Sequence, residues 1–424
     1  MSHDAVAPEQ YDRLLVTFAV LAFLGLNAAI LPGGEYQPAL YLLVGLALLL
    51  KKAVLELKLF YVLIAFFVVA LCSGITNNYI DAAAWLKLVT VVILLITGER
   101  LLVIFTPAAL KVICILHLLL FCAWAISPAI SSSIMVLINP RGLTYYFGFN
   151  SYFASEPSYA ALNIFGVYLL TKINVYVKNG STARSRWEFL VPAVLMSTLS
   201  LTGFLMGMLT LVFITRNSQR KTPMALKLIV GAILLYAPVL AAEYSQRFST
   251  FFYFIGEVDF ENFLYTWAAI EPSSSTRFIA NIAAFYEGMT GIVGRGTFAL
   301  AGPGQLDYPQ WLGDVFRING ILDEGSFAQT PLANMVLFLG IPGLVLMVVL
   351  TWRAVARLRV LERRLAMLTF AFIFICTLWQ AAFTYPFYWI VLCAPGWAHS
   401  TRPKRWLTRN LTAQASSFSI KPHP

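Results

Sequence analysis

Residues Pro331 to Thr351 read PLANMVLFLGIPGLVLMVVLT, 21 residues without a charged side chain. An upright helix needs about 20 apolar residues to cross ~30 Å of hydrocarbon, so this stretch is long enough to span a bilayer. The same texture recurs along the chain. Near-uncharged apolar stretches occupy roughly residues 14–31, 37–50, 59–75, 82–97, 108–126, 159–175, 189–200, 203–215, 225–242, 331–351, 365–382 and 386–398. Twelve such segments predict an all-α polytopic membrane protein with about twelve transmembrane helices. Segments 189–200, 203–215 and 386–398 are short for a full crossing, which leaves re-entrant hairpins open for them. The first segment is too long for a cleaved signal peptide, and acidic Asp4, Glu9 and Asp12 outnumber Arg13 ahead of it, so it reads as a retained helix.

Composition supports that class. Of 424 residues, 59% are hydrophobic and only 12% charged, with a net charge of +10. Soluble domains carry about 25% charged residues, so a soluble globular protein is excluded. In a soluble chain, +10 would point to nucleic acid or another polyanion; here the basic residues are read against a bilayer instead, and no nucleic-acid partner is expected. With the N-terminus in the cytoplasm and twelve crossings, 24 of the 30 Lys and Arg fall on the cytoplasmic side, five fall outside, and Lys87 lies within a span. This is the positive-inside asymmetry, and it places both termini in the cytoplasm.

The resulting organisation has helices 1–5 over residues 1–126 and a first external loop over 127–158. Helices 6–9 follow over 159–242, a large external loop over 243–330, helices 10–12 over 331–398, and a basic tail over 399–424. Arg402, Lys404, Arg405 and Arg409 in that tail suit anionic lipid head groups. The large loop carries Phe251, Phe252, Phe254, Trp267, Phe285, Tyr286, Trp311 and Phe316, so it is expected to fold against the membrane surface rather than to act as a linker. No inverted internal repeat of the transporter kind is visible.

All five external basic residues are arginine: Arg141, Arg247, Arg277, Arg295 and Arg317. The guanidinium fork donates parallel hydrogen bonds to phosphate and stays protonated, which suits a diphosphate in a partly dry site. The plain alternative is that they cap helices or pair with the 13 external acids. Arg277 follows Pro272-Ser273-Ser274-Ser275-Thr276, a helix-start signature, and Phe278, Ile279, Ile282, Phe285 and Tyr286 share one face of the helix that follows. Gly288 is read as its C-cap. Eleven residues at ~100° each bring Arg277 and Gly288 within about 20° on one face, three turns apart. An arginine beside the unpaired N–H groups of a first turn makes an anion site.

These residues carry a resemblance. Arg141-Gly142-Leu143, Ser155-Glu156-Pro157-Ser158-Tyr159 entering a span, and Ser200-Leu201-Thr202-Gly203 between two short spans resemble the O-antigen polymerase and ligase superfamily. So do Arg277-x10-Gly288, the Gly294-Arg295-Gly296 turn and Gly340-Ile341-Pro342-Gly343 in a late span. Within it the arrangement is most similar to a Wzy-type polysaccharide polymerase, whose members carry functional arginines in two external loops, often as Arg-x10-Gly. The first loop departs from that pattern, since Tyr152 stands eleven after Arg141.

The resemblance implies a GT-C-like glycosyltransferase fold in the bacterial cytoplasmic (inner) membrane, with the active site facing the periplasm or exterior. It implies polymerisation of undecaprenyl-diphosphate-linked repeat units for O-antigen, capsule or exopolysaccharide. The growing glycan is transferred to the non-reducing end of a new lipid-linked repeat, releasing polyprenyl diphosphate. A flippase and a chain-length co-polymerase of the same pathway are implied partners, and no cofactor is implied. Arg277, Glu156 and Arg141 are the catalytic candidates; Arg247, Arg295, Arg317, Gly288, Gly294 and Gly296 are the substrate-binding candidates.

Guanidinium groups can neutralise the charge that develops on a departing diphosphate. A carboxylate near the interface can take the acceptor's proton, and Glu156 at the mouth of a span is the first candidate, with Glu287, Asp323 and Glu324 behind it. Glu156 as a helix-dipole acid is the alternative. The chemistry needs no metal, and the external side has no His or Cys for a metal site rich in them. A ligase of the same superfamily is the nearest alternative function, but such enzymes use a loop histidine and residues 243–330 have none. A flippase or other transporter would want more intramembrane polar groups than Lys87. His117 reads as a buried histidine with a helix–helix partner. Cys72, Cys114, Cys122, Cys376 and Cys393 all lie in spans and form no disulfide framework.

Overall fold

A computed structural model describes residues 8–24, 26, 38–51, 82–127, 157–182, 185–198, 200–216, 272–295, 330–379, 381 and 383–394, with isolated residues 68, 71, 72, 249, 253 and 256. Among the described residues the structure is helical and contains no strand. The helices are α1 (Pro8–Leu24), α2 (Ala39–Lys51), α3 (Ala82–Leu101), α4 (Pro107–Ile126), α5 (Pro157–Asn179), α6 (Leu190–Ser197), α7 (Leu201–Arg216), α8 (Pro272–Met289), α9 (Pro331–Leu339), α10 (Ile341–Arg357), α11 (Arg363–Leu378) and α12 (residues 386–394). Ser158–Asn179 and Ile341–Val360 are each long and apolar enough to cross a membrane unaided.

The bundle is built around α5. Tyr159 to Ile173 are buried without interruption, and α4, α6, α7 and α11 pack on the helix. An aromatic cluster closes one side of it. Phe387 of α12 contacts Phe23, Tyr41, Phe105 and Tyr385, and Phe165 of α5 contacts Phe372 of α11. The Tyr385 hydroxyl donates to the Leu162 carbonyl at 2.7 Å, tying the start of α12 to the start of α5.

Outward faces are apolar. Phe18 and Leu21 of α1, Leu119 of α4, Val345, Val348 and Trp352 of α10, and Phe370 and Phe374 of α11 are all exposed. At about 25 cal/mol per Å², such surface is strongly unfavourable in water and neutral in hydrocarbon.

The apolar stretches are less regular than their composition predicts at three places. Residues 82–97 and 108–126 lie in α3 and α4, which meet at 87°. The bend follows from Pro107, which disfavours helical geometry at Thr106; that residue is extended and caps α4 by accepting from the Ala109 amide at 3.2 Å. In the 189–200 stretch, α6 has only eight residues after a 3-10 turn at Arg186–Phe189, too short to cross alone. It pairs with α7 as a tight hairpin, where Ser200 accepts from the Gly203 amide at 2.9 Å.

The third is Pro331–Thr351 itself. It is broken at Gly340, whose φ of 66° and ψ of −138° lie where only glycine sits without strain. Pro342 then occupies the first turn of α10, where its missing N–H costs nothing. The two halves fold onto each other, since a Cβ on Gly343 would strike the Met335 carbonyl.

Candidate functional site

The segment 243–330, expected from the sequence to be external, meets the helical bundle at this break. Its described part begins with α8, whose buried residues are the small and polar ones: Ala280, Asn281, Ala283, Ala284, Glu287 and Gly288. The aromatic face is turned away, with Phe278, Ile282 and Phe285 half-buried and Tyr286 exposed. Small side chains let α8 come against α9 at backbone distance. Gly288 carries this contact, because a Cβ there would run into the Val336 carbonyl. It is therefore a close-approach residue inside the last turn of α8 rather than a C-cap, and its φ is not positive.

The register of the pair is parallel. The Thr330 hydroxyl donates to Asn281 Oδ1 at 3.4 Å, Ala284 clusters with Ala333 and Leu337, and Gly288 lies on Val336. Thr330 also caps α9 by accepting from the Ala333 amide at 3.2 Å, and Asn334 Nδ2 donates to the Thr330 carbonyl at 2.9 Å. Arg277, Asn281, Ala284 and Gly288 form one stripe at spacings of four, three and four. The Arg-x10-Gly spacing thereby gains a physical meaning: the glycine seats the helix on α9, and the arginine lies one turn beyond the N-cap of α9 on the same stripe.

The chain then turns onto the break. The Arg295 amide donates to the Leu337 carbonyl at 2.8 Å, and the Ile341 amide to the Ile292 carbonyl at 3.3 Å. Gly294, with φ of 68°, lies against Gly340, so two glycines with left-handed backbone meet face to face. Arg295 folds back so that Nη2 pairs with Glu287 Oε1. The carboxylate is 3% exposed and the arginine side chain 46%, so this is a buried acid held by a half-open guanidinium.

Of the site residues expected from the sequence, Arg277, Gly288, Gly294, Arg295 and Glu287 belong to this one substructure. Arg141, Glu156, Arg247, Gly296, Arg317, Asp323 and Glu324 lie outside the described residues. Pro157 opens α5, as expected of the residue after Glu156.

Ser200 and Thr198, 3.0 Å apart at their hydroxyls, close the α6–α7 hairpin. His117 Nδ1 lies 2.7 Å from the Ile113 carbonyl and its ring packs edge-on against Phe23 of α1, a helix–helix partner. Lys87 is half-buried on α3. Among the described residues no group of three or more His, Cys, Asp or Glu could hold a metal ion.

Two features escaped the sequence reading. Glu287 and Arg295 lie eight apart across a turn punctuated by Gly288, Gly291 and Gly294, and that glycine spacing was the available signal. Lys172, counted by sequence as a cytoplasmic charge, is buried within the bundle and paired with Glu188 at 2.6 Å. Ser185-Arg186-Trp187-Glu188 is a capping box, a signal visible in the sequence that places Glu188 at the start of its turn.

No model of a protein family, no curated protein sequence and no solved structure matches this chain.

Proposed function

We propose that the chain is a twelve-segment membrane glycosyltransferase of the bacterial inner membrane. It polymerises polyprenyl-diphosphate-linked repeat units on the outer face, transferring the growing glycan to the non-reducing end of a new lipid-linked repeat. The observation that carries this reading is the seating of the Arg277-x10-Gly288 helix on the Gly340 break. It gathers two external arginines and a carboxylate on one substructure.

The topology is supported by which ends touch. Glu99 with Arg357 (3.8 Å), Thr182 with Glu362 (2.5 Å) and Asn174 with Phe105 (2.9 Å) each join ends assigned to the cytoplasm. Tyr385 with Leu162 and Asn281 with Thr330 join ends assigned to the outside. The brevity of α6 leaves this scheme intact. A hairpin that enters and leaves on one side returns the chain to the same face whether or not it crosses fully.

In the reaction, an acceptor hydroxyl oxygen attacks the anomeric carbon of the donor glycan. The bond from that carbon to the diphosphate oxygen breaks, and its electron pair leaves on polyprenyl diphosphate. Arg277 and Arg295 neutralise the diphosphate, and a carboxylate, with Glu156 the first candidate, accepts the hydroxyl proton. No step requires a metal.

Deletion of the gene in its host tests the reading through the surface glycan. Single-repeat caps in place of long polymer are expected. Untransferred long polymer identifies a ligase instead, and repeat units trapped in the cytoplasm identify a flippase.

A further inference from the structure

We infer that Glu287 is a positioning residue that holds Arg295 as a preformed diphosphate ligand; this rests on the polymerase reading and deepens it. Arg295 is fixed at two points belonging to two different helices. Its amide donates to the Leu337 carbonyl of α9 at 2.8 Å, and its Nη2 is paired with the Glu287 carboxylate of α8. Between them, Gly294 sits in left-handed backbone against Gly340, so the turn has one position on the break. An arginine on an external loop otherwise samples many rotamers, and ordering it opposes binding when a ligand arrives. Here that ordering is done in advance by a carboxylate with almost no access to solvent.

The asymmetry of exposure gives the pair a direction. Glu287 is buried and cannot itself meet a large anionic head group, whereas the Arg295 side chain is nearly half open. A lone buried carboxylate is costly, so Glu287 keeps its partner while nearly half of the Arg295 side chain stays accessible from outside. The surroundings match the class of ligand. Met289 and Ile292 of the same turn are exposed apolar side chains, as are Ile341, whose amide bonds the Ile292 carbonyl, and Val345 one turn further along α10. A charged head with an apolar tail, such as a polyprenyl diphosphate, fits this pairing of surfaces; a free sugar phosphate would leave the apolar part unused.

The test uses the purified full-length protein in detergent and farnesyl diphosphate as the probe, with farnesyl monophosphate and inorganic diphosphate as comparisons. The wild type is expected to bind farnesyl diphosphate more tightly than either. Glu287→Gln should weaken that binding by roughly tenfold, Arg295→Ala by at least as much, and the double variant no more than Arg295→Ala alone. Glu287→Asp, which keeps the charge on a shorter arm, should fall between wild type and Glu287→Gln and serves if the glutamine variant does not fold.

Unchanged affinity in folded Glu287→Gln or Glu287→Asp overturns the positioning role and leaves the polymerase reading standing. Additive losses in the double variant do the same. A wild type that does not bind farnesyl diphosphate overturns both.

Discussion

Gly294 and Gly340 hold each other's backbone, and a methyl group on either would strike the amide nitrogen of the other. Each has a positive φ, 68° and 66°, so neither position accepts another residue without strain. One glycine ends the turn after α8 and the other breaks an apolar helix, which makes their contact the joint between that turn and the helical bundle. Gly294→Ala and Gly340→Ala are each expected to cost about 2–4 kcal/mol, combining backbone strain with overlap. Both should lower the unfolding midpoint in detergent and abolish polymer. Ala at Gly256, where a Cβ meets nothing within 4 Å, is the comparison that should leave both unchanged.

Arg277 lies on the stripe that packs against α9, one turn before Asn281. Arg277→Ala is expected to eliminate long polymer while protein level and unfolding midpoint stay within error, as follows from its proposed role in holding the diphosphate. Arg277→Lys should recover little, since an ammonium cannot supply two parallel donors to a diphosphate. Glu156→Gln should likewise remove polymer if that carboxylate takes the acceptor proton. Glycan length on gels checks all three, and long polymer from any variant removes that residue from the site.

What could be read from sequence followed from local rules, and what could not followed from packing between distant segments. Pro157 as the first residue of α5 was visible because proline acts within one turn, whereas α8 begins at Pro272, so Ser273 to Thr276 lie inside the helix rather than capping it and Arg277 stands beyond the unpaired amides of its first turn. The helical identity of the apolar stretches that the structure describes was visible from their uninterrupted apolar composition. Periodicity showed that α8 has an aromatic face and a small-residue face, yet it could not say which one docks. The small face wins because Gly288 needs the Val336 backbone as its neighbour, and α9 begins more than 40 residues later. Gly340 was legible as part of a motif, but apolar composition cannot distinguish one straight span from two half-helices. The burial of Lys172 was hidden for a related reason. Its burial depends on Glu188, which reaches it only because α6 and its capping turn fold back along α5.

That buried pair yields a stability prediction. Lys172 and Glu188 are 4% and 7% exposed, so removing one leaves the other charge uncompensated in a medium that cannot solvate it. Lys172→Met is expected to destabilise the protein by about 3–5 kcal/mol. The double variant Lys172→Met with Glu188→Leu should recover most of that loss. A residual of about 1 kcal/mol is expected because Glu188 also accepts from the Ser185 amide at 2.9 Å, and leucine cannot. Chemical unfolding of the three proteins in one detergent measures the cycle. A double variant as unstable as the single would show that the pair contributes through specific hydrogen bonding rather than through mutual neutralisation.

The sidedness of the chain can be measured directly at two serines. Ser181 follows the end of α5 on an exposed turn beside Thr182, whose hydroxyl bonds Glu362, and this end is assigned to the cytoplasm. Ser274 lies in the first turn of α8, two turns before Asn281 on the side assigned to the exterior. In a background lacking the five native cysteines, Ser274→Cys should react with a membrane-impermeant maleimide in intact cells. Ser181→Cys should react only after the membrane is opened. The prediction is sharp because the described stretches between the two positions include one short hairpin, which cannot change the parity of crossings. Labelling of both residues from the same side would require an even number of crossings between 182 and 272 where the scheme has three, at 189–200, 203–215 and 225–242. Labelling of both only after the membrane is opened would move α8 to the cytoplasm and remove the arginine site from the face on which the proposed polymerisation takes place.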